Sequence, residues 1–174
     1  LAIGAINSEN AKLFFRFGLG YGREPDNQEN DWRLTGPIIA GAFTIGTIMY
    51  MSVSVVSQGG VINSSFLKLL PLVLLFSFTN AWTEEIVSRF VIVTGLSGKV
   101  NPVAICWISG SIFGLAHIGG TPNGVFGVIA SGVMGGLLAK SVIETKSMGW
   151  ALLIHFLQDV VIFGAGAMVL AKDY

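Results

Sequence analysis

The sequence predicts an all-α protein: a polytopic transmembrane helix bundle of about five spans, preceded by an N-terminal interfacial segment. Three observations carry this. Hydrophobic residues make up 52% of the 174 positions, and the mean hydropathy is +0.71. Charged residues make up only 11%, about half the share of an ordinary soluble domain. The 23 glycines follow no repeat period and suit membrane helices, where small residues let backbones approach closely.

The same composition excludes other classes. Ten basic residues balance ten acidic ones, so nothing in the charge supports nucleic-acid binding. A single cysteine, Cys106, excludes an internal disulfide and a CxxC site, and reads as a small core residue.

Residues 1–36 form a polar N-terminal segment and residues 37–174 the membrane domain. The first part holds nine of the twenty charges. Within it Leu13, Phe14, Phe15 and Phe17 flank Lys12 and Arg16, the pattern of a short amphipathic helix on the membrane surface or of a solvated tail with some hydrophobic contact. Tyr21 to Asp31 is rich in Gly, Pro, Asn and acids and reads as a loop.

Five apolar segments follow. Pro37–Val56 is long enough to cross and is ended by Gln58-Gly59-Gly60. Ser65–Leu96 carries Pro71 near its start and closes at Gly95 and Gly98. Pro102–Ile118 opens with proline in its first turn, and Gly119 to Asn123 forms the turn after it. Gly124–Val142 and Met148–Ala171 complete the set. Gly110 and Gly114 on the third segment, and Gly132 and Gly136 on the fourth, predict close helix packing. With five crossings, seven basic residues (Lys12, Arg16, Arg23, Arg33, Lys99, Lys140, Lys146) lie on the N-terminal side, against Lys68 and Lys172 opposite. That asymmetry predicts a cytoplasmic, stromal or matrix N-terminal side.

The stretch from Asn80 to Phe90 places Glu84, Glu85 and Arg89 inside the second apolar segment. Charges at that depth are rare, usually paired and usually functional. Glu85 and Arg89 are four apart on one helix face and predict an ion pair. Glu84 then has no cation on its own helix, which suits a general base. Both histidines of the chain also lie in apolar segments: His117, four after Phe113, and His155, four before Asp159. At about 1.5 Å per residue, these side chains fall at compatible depths for one interior cluster.

Such a cluster suits activation of a water by a carboxylate and a histidine, with the second histidine and an acid or amide holding a developing oxyanion or leaving group. Glu84, His117, His155 and Asp159 also match a divalent metal site, with zinc the leading candidate and a carboxylate orienting a histidine. Ser88 and Ser111 read as ordinary helix packing, and no serine or cysteine presents itself as a nucleophile.

Glu-Glu-x-x-x-Arg at 84–89, Phe-x-x-x-His at 113–117 and His-x-x-x-Asp at 155–159 resemble, in order and spacing, the motifs of the CAAX-protease and bacteriocin-processing (CPBP, or Abi) family of intramembrane proteases. The resemblance covers roughly residues 70–165. It implies a helical membrane bundle acting on a peptide or lipidated protein substrate among membrane lipids. Catalysis would fall to Glu84, Glu85, His117, His155 and Asp159, with Glu84 and His117 activating the water, His155 and position 159 holding the oxyanion, and Arg89 and Phe113 as structural support. The family is often labelled metalloprotease, and a glutamate-and-histidine mechanism without metal is also advocated for it. Asp159 stands where the eukaryotic prenyl-protein enzymes have asparagine. A carboxylate repels an oxyanion, which gives weight to metal binding or histidine orientation at 159. Two other classes fit the same scaffold: a catalytically silent accessory subunit, assembly factor or immunity protein in a larger membrane complex, and a proton or metal transporter.

Overall fold

The computed structural model describes residues 11–12, 14–19 and 31–173. All regular structure among them is helical: α1 Trp32–Ser57, α2 Ser64–Glu85, a π-helical turn Ile86–Val91, α3 Ile92–Leu96, α4 Pro102–Ala116, α5 Gly124–Thr145, α6 Gly149–Leu170 and a closing 3-10 turn Ala171–Asp173. Four of the five expected apolar helices are long enough to cross a bilayer: Trp32–Ser57, Ser64–Leu96, Gly124–Thr145 and Gly149–Asp173. The remaining one, α4, has 15 residues. It spans about 22 Å at 1.5 Å per residue, less than the roughly 30 Å of a hydrocarbon core. It stops at Ala116 rather than Ile118, and His117 becomes its C-cap.

The helix boundaries follow local chemistry. Asp31 begins α1, its carboxylate accepting from Arg33 N at 2.9 Å. Asn63 caps α2 through Phe66 N at 2.9 Å. Asn101 caps α4 through Val103 N, with Pro102 in the first turn, where its missing N–H leaves no bond unmade. α5 ends on Lys146 in the left-handed region at φ 52°.

The chain forms two compact units. The first comprises Leu1–Pro37 and Glu84–Leu152, the second Ile38–Thr83 and Leu153–Tyr174. In the first, α4 packs on α5 through glycines. A Cβ on Gly110 would lie 2.6 Å from the Gly132 carbonyl, and one on Gly114 would collide with the Val128 carbonyl. Trp32, 1% exposed, donates its indole N–H to Glu144 at 2.7 Å. The segment around Lys12 and Arg16 is helical at Ala11, Lys12 and Phe14 and leaves the helix at Phe15. Phe14 is buried in protein, with Lys146 Nζ 5.0 Å from its ring centroid, and the Arg16 carbonyl accepts from Met148 N at 2.7 Å. Phe15, Phe17 and Leu19 remain exposed, the part of the interfacial expectation that the fold leaves open. The loop expected over Tyr21–Asp31 falls outside the described residues except for Asp31, as does Leu13.

In the second unit Phe66, Val73, Ala167 and Ala171 form a small core with Leu69, Leu70 and Met168 around it. Gln158 on α6 ties that helix to α1. It accepts from Thr47 Oγ1 at 2.6 Å and donates to Thr44 Oγ1 at 3.1 Å.

Candidate active site

The predicted site residues fall into two groups, one in each unit. In the first unit, α2 ends on Glu84 and Glu85, and the chain continues as a π-helical turn. A π-turn carries an extra residue and displaces carbonyls from the regular ladder, so side-chain hydroxyls can reach them. Ser88 Oγ donates to the Glu84 carbonyl, and Ser109 Oγ, from α4, donates to the Ser88 carbonyl at 2.7 Å.

Glu85 and Arg89 are 1% and 0% exposed, with Arg89 Nε 3.1 Å from Glu85 Oε2. Arg89 also donates from Nη1 to Ser88 Oγ. Its Cζ lies 3.9 Å from the centre of the Phe113 ring, a cation–π contact. The guanidinium is thus enclosed by a carboxylate, a hydroxyl and an aromatic face. A Cβ on Gly135 would come within 3.0 Å of Phe113 Cβ, so the bare backbone of α5 leaves the ring its place.

On its other side Phe113 meets His117, ring centroids 4.3 Å apart. His117 Nδ1 lies 2.8 Å from the Phe113 carbonyl oxygen. A carbonyl only accepts, so Nδ1 carries the proton, and in the neutral ring Nε2 holds the lone pair. That Nε2 faces Glu84 Oε2 at 3.7 Å. The separation exceeds a direct hydrogen bond and suits two groups sharing one small molecule. Glu84 is a third exposed and His117 a fifth, whereas Glu85 is sealed. Two adjacent glutamates thus sit in different surroundings.

In the second unit His155 and Asp159 are both buried, with Nε2 3.7 Å from Oδ2. Asp159 Oδ2 also accepts from Asn80 Nδ2 at 3.2 Å. Three residues received no site role from the sequence. Asn80 stands in the same charged stretch, a signal that could have singled it out. Ser88 and Ser109 offered none, because serine on an apolar helix most often returns its hydroxyl to its own backbone.

Among the described residues, no three histidine, cysteine, aspartate or glutamate side chains are grouped to hold a metal ion.

Four apolar helices of membrane-spanning length, with ionisable side chains among them, define a helical membrane protein. The chain belongs to the family described as Type II CAAX prenyl endopeptidase Rce1-like, whose sequence model matches residues 66–161, more than half of the chain and a span that contains the three motifs above. No curated protein and no solved structure matches the chain.

Proposed function

We propose that the protein is an intramembrane endopeptidase in which Glu84 and His117 activate a water for attack on a peptide carbonyl. The observation that carries this reading is the 3.7 Å approach of His117 Nε2 to Glu84 Oε2, with the opposite ring nitrogen committed to the Phe113 carbonyl. A water about 2.8 Å from each would complete a triangle with this edge. Glu84 takes one proton as the water oxygen bonds to the carbonyl carbon, and the carbonyl electrons move onto its oxygen. The tetrahedral species then collapses, the C–N bond breaks, and the proton on Glu84 passes to the leaving nitrogen. His117 orients the water by accepting its second proton in a hydrogen bond at Nε2.

By the motif resemblance alone, His155 would hold the oxyanion. Asp159 is its orienting group, since a carboxylate would repel the developing charge. Glu85 and Arg89 neutralise each other and hold the helix from which Glu84 projects.

The substrate class is a peptide or lipid-modified protein reached from the bilayer, and the first probe is a quenched fluorescent peptide ending in an S-farnesylated Cys-a-a-X sequence. This reading takes the N-terminal side as cytoplasmic, stromal or matrix-facing, on the count of basic residues. It requires α4 to reach through the bilayer despite its length.

The test is cleavage of the probe by the purified full chain in lipid vesicles. Glu84→Gln should lower the rate about 10²–10⁴-fold, and the response of the wild-type rate to a chelator reports whether a divalent metal takes part. Undiminished cleavage by Glu84→Gln would refute the mechanism.

A further inference from the structure

Ser109, Phe113 and His117 are successive i, i+4 positions and present one face of α4 and its cap. Each meets the charged stretch. Ser109 Oγ reaches the Ser88 carbonyl at 2.7 Å, Phe113 lies 3.9 Å from Arg89 Cζ, and His117 Nε2 lies 3.7 Å from Glu84 Oε2. The outer two, 109 with 88 and 117 with 84, run antiparallel, like rungs between two rails.

The first rung differs from most helix hydroxyls among the described residues. Ser77, Thr79, Thr83 and Thr145 each donate to the carbonyl four residues earlier in their own helix. Ser109, fully buried, donates instead to another helix, at a carbonyl within the π-turn. Ser88 in turn grips the Glu84 carbonyl through its own hydroxyl. A π-turn is a local shift of helical register, so whatever pins it sets the angle at which the residues just before it project. An unpinned turn would relax toward α-helix and rotate Glu84 relative to the segment that follows.

We propose that Ser109 is a positioning residue: its hydrogen bond to the Ser88 carbonyl holds the π-turn in register and thereby sets Glu84 opposite His117. The inference rests on the catalytic reading of that pair, but its geometric core can be measured without catalysis.

The experiment compares wild type, Ser109→Ala and Ser109→Thr as full chains in vesicles with the farnesylated peptide. Misplacing a reacting group by about 1 Å can cost 10²-fold, so Ser109→Ala should lower kcat about 10–100-fold with KM within about twofold. Ser109→Thr keeps the donor and should recover kcat to within about threefold of wild type, which a general packing defect would not predict. In parallel, Glu84→Cys/His117→Cys in a Cys106→Ala background is treated with a short thiol-to-thiol crosslinker, with and without Ser109→Ala. The crosslinking yield should fall when Ser109 is replaced. Should Ser109→Ala fail to fold, Ser109→Cys, similar in size and a weaker donor, is measured in its place.

Unchanged kcat in the variant that lacks the donor, or an unchanged crosslinking yield, would overturn the proposal. If wild type fails to cleave the probe while the yield still depends on Ser109, the catalytic reading falls and the positioning role stands.

Discussion

His117 is flanked on both sides: its Nδ1–H donates to the Phe113 carbonyl at 2.8 Å, and Glu84 Oε2 faces its Nε2 at 3.7 Å. The backbone carbonyl belongs to the same helix, so the ring's tautomer is settled within one turn. Only the opposite face depends on another part of the fold.

A shared water makes the two side chains one functional unit, so their effects should not add. Glu84→Gln and His117→Ala should each lower kcat/KM about 10²–10⁴-fold, and the double variant should fall no further than the worse single one. Losses in the double variant equal to the product of the two would mean that they act independently.

Glu85 and Arg89 should matter to folding more than to chemistry. Arg89→Met leaves a sealed carboxylate without its cation and should destabilise the protein by about 3–5 kcal/mol. Arg89→Met with Glu85→Leu removes both charges and should recover most of that loss. Thermal or denaturant unfolding in detergent measures both. A double variant as unstable as the single one would contradict the pairing.

The glycines between α4 and α5 are not equivalent. A Cβ on Gly110 meets the Gly132 carbonyl at 2.6 Å, whereas one on Gly136 meets its nearest neighbour, the Cys106 carbonyl, at 3.4 Å. Gly110→Ala should therefore destabilise by about 1–3 kcal/mol through overpacking, and Gly136→Ala by well under about 1 kcal/mol. Equal effects would show that α4 and α5 can separate without penalty.

Membrane sidedness tests whether α4 crosses. In a Cys106→Ala background, Lys68→Cys and Lys172→Cys should react with an impermeant maleimide from the extracytoplasmic side. Lys99→Cys and Lys146→Cys should react only after permeabilisation. External labelling at 146 together with protection at 172 would mean that α4 enters the membrane and returns.

Much of the fold was legible in the residues. Apolar runs of sufficient length fixed the long helices to within a few residues, because in lipid a helix satisfies its own backbone. The i, i+4 pairs Glu85–Arg89 and His155–Asp159 were legible for the same reason: within one helix, spacing determines facing. The π-turn was not, because no residue type marks it and its stabilising donor, Ser109, lies 21 positions past Ser88. Phe14 reads as part of an amphipathic surface helix or of a solvated tail, because apolar residues flank Lys12 and Arg16 there. Its burial beneath Lys146 depends on a loop more than a hundred residues away.

The sequence alone determined that this is a helical membrane protein, which residues are charged within it, and which motifs identify its family. Local periodicity and the absence of water at depth suffice for those conclusions. The tertiary structure decided that adjacent glutamates part company, Glu85 sealed against Arg89 and Glu84 half-open beside His117. That choice depends on the rotation of one helix against another, which close packing sets and one-dimensional spacing does not encode.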